Sequence, residues 1–229
     1  MTIQEYYGFP AGTKVKQKYL NPYESYWPDG VDLPSDLSLA YASEARQIIN
    51  QIPTSHVTDM TGMFKACTGL SEVSWFDTSS CENMTEMFAD CQSLKTIPAF
   101  DTSKVATMYQ MFNECTGLTS LPPLDCSLIE YGQYPIQGST TVSWYNKLTD
   151  VGGFINMRSS WDDNLGLRLC PNLTYQSCLN ILHGLYDFVS EGEEPDGSTT
   201  GVLKVNANFI TTVGDEISIA IDKGWNIIT

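Results

Sequence analysis

Between residues 57 and 128 the apolar positions recur with a period of 24. Met60, Met84 and Met108 align, as do Met63, Met87 and Met111. Phe64, Phe88 and Phe112 follow, then Cys67, Cys91 and Cys115, then Leu70, Leu94 and Leu118. Val73, Ile97 and Leu121 and then Phe76, Phe100 and Leu124 complete the apolar set, and Asp77, Asp101 and Asp125 close each unit. The units run Val57–Ser80, Cys81–Lys104 and Val105–Leu128 without gaps, and Thr54-Ser55 matches Thr78-Ser79, so a degenerate unit is expected before the first. Within a unit, Met60, Met63, Phe64 and Cys67 fall at i, i+3, i+4 and i+7, which predicts a short helix with one apolar face. Leu70 and Val73 then predict a tighter, strand-like stretch.

One such unit cannot bury its own apolar face. Stacked coils can, because each side chain then sits on its equivalent in the next rung. A period of 24 lies in the range of leucine-rich-repeat solenoids, so the expected fold is α/β, with a solenoid of 24-residue coils and α/β capping regions at both ends. The ends of a three-coil stack would expose core and open strand edges, so the flanks are expected to close them. Ser35 to Ile52 reads as an N-terminal cap helix, within a segment 34–56 that includes the degenerate unit. Residues 1–33, rich in Tyr with little period, read as an arm or docking segment. Residues 129–147 read as a protruding aromatic loop.

Residues 148–229 read as a β-α-β-α-β continuation. Leu167 and Leu169 suggest a strand. Thr174 caps a helix with Cys178, Leu179, Ile181, Leu182, Leu185 and Tyr186 inward. Glu191–Gly201 is a polar loop, and Val202, Leu203 and Val205 form a second strand. Asp215 and Glu216 favour a helix N-terminus, Gly224 a helix stop, and Trp225, Ile227 and Ile228 a last strand.

Charge narrows the partners. The net charge is −15, from 27 acidic and 12 basic residues, which repels phosphate backbones and argues against nucleic acid. Only 17% of residues are charged, so the polar surface is largely hydroxyl and amide. No apolar run reaches the roughly 20 residues of a membrane span, so no membrane insertion is expected. The N-terminus lacks a basic start followed by an apolar stretch. The expectation is that the protein stays inside a cell, leaves as part of something larger, or has had a leader removed.

Candidate chemistry is sparse. The seven cysteines form no C-x-x-C pair; the three at the repeat period read as small buried apolar residues rather than metal ligands. Asp77, Asp101 and Asp125 could line up as a calcium ladder, but stacked carboxylates repel, and the plainer reading is Asx turns onto the following Thr-Ser. His56 and His183 are too dispersed for an acid–base site, Glu191, Glu193 and Glu194 read as a solvated loop, and no hydrolase, nucleotide or zinc-protease motif occurs. No catalytic residue, metal or cofactor is expected. Contact candidates are Glu72, Ser74, Thr96, Ser120 and Trp75 on the repeat face, with Tyr131, Tyr134, Trp144 and Tyr145 in the aromatic loop; Tyr and Trp can stack on sugars or anchor protein contacts, and the plainer alternative is that Trp75 and Trp144 cover the flank of the solenoid.

The pattern M-x-x-M-F-x-x-C-x-x-L-x-x-h-x-x-F-D-T-S, clearest from Met84 to Ser103, resembles the BspA-like leucine-rich repeats of the short Met-Phe-Cys type. LTDVGGF at 148–154 and the segments at 169–188 and 215–227 are similar to the region that follows such repeats. The resemblance implies a non-enzymatic structural or binding role. It places such chains in bacteriophage virions, assembled in the bacterial cytoplasm and attached to capsid or tail, or, as the alternative, in adhesins at the bacterial cell surface. The implied partners are other virion proteins or a host-surface protein or glycan, within a larger assembly.

Overall fold

The computed structural model describes residues 54–73, 75–129, 147–158, 170–195 and 201–229. The expected N-terminal arm, the cap helix over 35–52, the aromatic loop with Tyr131, Tyr134, Trp144 and Tyr145, and the strand at Leu167–Leu169 lie outside the described residues.

Successive repeat units lie on one another in parallel register, with Asp59 bridged to Asn83 and Asn83 to Thr107. The segment expected to be a short helix is instead a series of tight turns. Lys65 N–H donates to Gly62 O at 2.9 Å and Cys67 N–H to Phe64 O at 3.1 Å, whereas the alternate N–H groups of Met60, Gly62, Phe64 and Ala66 donate to Asn83, Thr85, Met87 and Ala89 of the next unit, at 2.8–2.9 Å. The second unit repeats this onto Thr107, Tyr109, Met111 and Asn113.

The physical reason lies in the backbone. Gly62 and Ala66 have left-handed φ values of 57° and 61°, and their equivalents Glu86, Asp90, Gln110 and Glu114 lie between 52° and 63°. A left-handed residue at every fourth position turns alternate peptides outward, toward the neighbouring coil. A helix from Met60 would satisfy the Phe64 and Ala66 N–H groups internally and point those of Met60 and Gly62 along its axis, away from the neighbouring coil. Both conformations bury the same Met, Met, Phe and Cys, so apolar spacing alone does not separate them.

The core is continuous along the stack. Met60, Phe64, Cys67 and Leu70 are buried, as are Met84, Phe88, Cys91 and Leu94 and, in the third unit, Met108, Phe112, Cys115 and Leu118. Phe64 and Phe88 stack at 5.3 Å between centroids and 2° between planes, and Phe88 and Phe112 at 5.9 Å and 1°. Phe76 and Phe100 form a second, tilted column at 4.8 Å. Buried Thr78 and Thr102 donate through Oγ1 to Asp101 O (2.9 Å) and Asp125 O (3.2 Å), and Thr54 does the same to Asp77 O. These hydroxyls tie one coil to the next from inside, where an unpaired polar group would be costly.

A further rung follows after a longer interval. β1 (Ser120–Leu121) pairs in parallel with β3 (Asp150–Val151), and β2 (Leu124–Asp125) with β4 (Phe154–Ile155). The offset is now 30 residues, and Leu148, Val151 and Phe154 are buried in the positions that Leu118, Leu121 and Leu124 hold one rung earlier.

α1 (Tyr175–Gly184) covers this rung. Thr174 caps it by accepting from Ser177 N–H, and Cys178, Ile181 and Leu182 face the core. Leu179, expected inward, is only half-buried. Ser177 Oγ accepts from Val151 N–H and donates to Thr149 O, and Asn180 Nδ2 donates to Val151 O. Gly184 permits the close approach, because a Cβ there would sit 2.6 Å from Phe154 O.

α2 (Phe188–Glu191) leads through Gly192 at φ 69° toward β5 (Val202–Lys204). α3 (Ala207–Val213), an element additional to the expected β-α-β-α-β order, comes next; a 3-10 turn at Gly214–Ile217 carries Asp215 and Glu216 into α4 (Ser218–Asp222). β6 (Asn226–Ile228) returns parallel to β5. The last turn folds back on α1: Lys223 Nζ donates to His183 O and Leu185 O at 2.7 and 2.8 Å, and Trp225 Nε1 to Tyr186 O at 2.8 Å.

Candidate functional site

The groups that recur in register are consumed by the stack. Asp77, Asp101 and Asp125 each accept, through Oδ1, from the N–H two residues on, at 2.9–3.0 Å, which is Asx-turn geometry. The bond from Ser79 N–H holds the Asp77 carboxyl below its usual range, and the Ser103 hydroxyl and N–H do the same for Asp101. A second turn ladder, at Asp59 and Asn83, accepts from Thr61 and Thr85 N–H at 2.8 and 2.9 Å. The D-x-T and N-x-T spacing of 59–61 and 83–85 is the sequence signal for it.

The cysteines are poor nucleophiles. Cys91 Sγ donates to Phe64 O and Cys115 Sγ to Phe88 O, both at 3.1 Å. Burial pushes Cys81 and Cys170 up to about 12 and Cys178 up to about 11. The neighbouring Cys67 thiol and burial raise Cys91 further, and burial raises Cys115 and Cys126. Thiolate, the reactive form, is therefore scarce near neutral pH. Among the described residues no group of three or more His, Cys, Asp or Glu is placed to hold a metal ion.

Glu193 is more than a solvated loop residue. It forms a bidentate pair with Arg158 at 2.9 and 3.1 Å and accepts from Tyr186 Oη at 2.7 Å, while the Arg158 guanidinium lies 3.7 Å above the Tyr186 ring. The Arg158 guanidinium and then the Tyr186 hydroxyl hold the Glu193 carboxyl below its usual range. The three groups satisfy one another, so the cluster reads as a brace between 158 and 193. Its signal in the sequence is weak, since 35 residues separate Arg158 from Glu193.

What remains outward is a strip across the rungs. Trp75 is 61% exposed. Glu72 and Thr96 are exposed, Ser120 is half-buried and donates to Thr96 Oγ1 at 2.8 Å, and Ser74 lies outside the described residues. In the register of the stack, Trp75 is followed by exposed Ala99 and Pro123; the next position, Gly153, is buried.

At the far end of the strip lies a cleft of about 300 Å3, lined by Gly152, Gly153, Ile155, Asn156, Asn180, His183 and Gly184. A Cβ at Gly152 would strike Pro123, and one at Gly153 would lie 2.7 Å from Asn180 O, so the glycine floor is forced by packing and leaves room above it. Asn156 holds a left-handed φ of 57° and donates through Nδ2 to Ser127 Oγ at 2.8 Å. The sequence places His183 on a helix but carries no signal that links it with Asn156, because the juxtaposition depends on how α1 lies against β4.

No helix among the described residues is long and apolar enough to cross a membrane. No curated protein and no solved structure matches the chain. Residues 35–127, which take in nearly all of the three repeats and the stretch before them, match the family model described as "Mycoplasma protein of unknown function, DUF285", and in that region the chain is similar to that family.

Proposed function

We propose that the chain is a leucine-rich-repeat-type solenoid of the BspA-like kind with α/β caps, and that it works as a non-enzymatic display and binding module of a bacteriophage particle, contacting other virion proteins or a host-surface protein or glycan. The observation that carries this reading is the split between inside and outside. Side chains that repeat in register are buried or committed to turns, whereas the outward strip changes from rung to rung, from Trp75 through Ala99 to Pro123. A stack with a uniform interior and a varied outer strip suits recognition of an extended partner.

Detection of the protein in purified particles, compared with cell envelopes and the soluble fraction, tests where it is carried. Stoichiometric recovery in particles supports the proposal; a free monomer that enters neither particles nor envelopes sinks it. A bacterial surface adhesin is the second reading, favoured by the Mycoplasma description of the matching family model, and confinement to envelopes would select it. In either setting, Trp75→Ala is expected to weaken attachment to the target about tenfold or more while leaving the fold intact.

A further inference from the structure

The cleft between β4 and the outer edge of α1 has the chemistry of a ligand site. At about 300 Å3 it stands at the small end of ligand pockets. Its lining holds no Asp, Glu, Lys or Arg. A charged ligand would lose its hydration there without a counter-charge, and a net charge of −15 opposes anions in particular. Asn156 and His183 each carry a donor and an acceptor once imidazole is neutral. Hydroxyl groups, which do both, are their natural complement. Asn156 is pre-positioned by its left-handed backbone and its bond to Ser127 Oγ. Asn180 serves as wall, since its Nδ2 is committed to Val151 O and its Oδ1 accepts from Gln176 Nε2 at 2.9 Å. Ile155, 44% exposed, offers an apolar contact at the rim.

An extended peptide fits less well. Strand addition needs a free edge. Here one edge of β4 is paired with β2, the other is covered at Phe154 by Gly184 of α1, where a Cβ would sit 2.6 Å from Phe154 O, and the chain just beyond β4 bridges through Met157 to Leu185.

We propose that this cleft binds a neutral sugar ring, with the Asn156 carboxamide and the His183 imidazole reading its hydroxyls and Ile155 against its C–H face. The proposal rests on the reading of the chain as a binding module and names a ligand class for one end of its outer strip.

The test is saturation-transfer NMR on the full chain with methyl glycosides of neutral hexoses and N-acetylhexosamines, alongside sialyllactose and short extended peptides. Saturable transfer to a neutral glycoside is expected. Asn156→Gly, which keeps the left-handed backbone unstrained, and His183→Ala, on the exposed side of α1, are each expected to weaken it about tenfold with an unchanged thermal midpoint. Val189→Ala, at a site 63% exposed and outside the cleft lining, should leave the sugar signal as it is. The proposal is overturned if no neutral glycoside binds, if only sialyllactose or a peptide does, or if neither cleft variant changes binding. A blank glycoside panel together with loss of target attachment in Trp75→Ala would remove this inference and leave the display reading standing.

Discussion

Ala66 and Gly62 occupy the same left-handed region, at φ 61° and 57°. An L side chain there meets the following carbonyl, at a cost of about 1 kcal/mol. Ala66→Gly is therefore expected to raise the urea midpoint by the equivalent of roughly 0.5–1 kcal/mol, and a loss of stability would contradict the turn geometry. The Asx turns give a second residue-scale expectation. Ser79 N–H lowers the Asp77 carboxyl, and the Ser103 hydroxyl and N–H lower that of Asp101. A carboxyl whose folded value lies below its unfolded one contributes stability that is fully present above the unfolded value, near 4, and is lost as the pH falls through the folded value. Asn can make the same turn without titrating, as Asn83 does in the second ladder. The double variant Asp77→Asn/Asp101→Asn should keep its fold at pH 7 and show a shallower loss of stability below about pH 4, read from denaturant midpoints across a pH series. The Asp-Thr-Ser spacing made these turns legible in the sequence; the buried Thr54, Thr78 and Thr102 beside them were visible only as a repeat, because a hydroxyl's carbonyl partner one coil away has no local signature.

At the scale of elements, α1 shows what local pattern can and cannot tell. Its cap at Thr174 and its buried Cys178, Ile181 and Leu182 follow from spacing alone. Its C-terminal end depends on Lys223, 38 residues beyond Leu185, whose ammonium meets the carbonyls of His183 and Leu185. Burial lowers the Lys223 pKa, yet the charged hydrogen bonds hold the last turn of α1 to the C-terminal segment. Lys223→Met, which keeps the stem and removes the donors, is expected to cost about 2 kcal/mol; hydrogen exchange should localise the loss to the end of α1 and to β6. An unchanged protection pattern would mean that the helix end is held by other contacts. The rung at 148–154 was also within reach. The spacing Leu-x-x-Val-x-x-Phe repeats that of Leu94-x-x-Ile97-x-x-Phe100, but at an offset of 30 from the third unit a search at a strict period of 24 passes over it.

Across the whole molecule, stability runs along the stack. Phe88 lies between Phe64 and Phe112 and is fully buried. Phe88→Ala should cost about 3–5 kcal/mol, and neighbouring coils should lose protection with it, since each contacts mainly the next. Trp75→Ala, at a site 61% exposed, should change stability by less than about 0.5 kcal/mol. Thermal melts of the two variants side by side check both expectations, and similar losses would contradict the division between core and outer strip. The period of 24, the identity of the inward residues and the cap of α1 were determined by the sequence itself, because they depend on spacing along the chain. Whether the inward segments became helices or left-handed turns, and that Asn156 and His183 share one cleft, was decided only in the tertiary structure. The physical reason is that N–H groups turned toward the next coil, and side chains brought together across 27 residues, gain their partners only once the rungs are stacked.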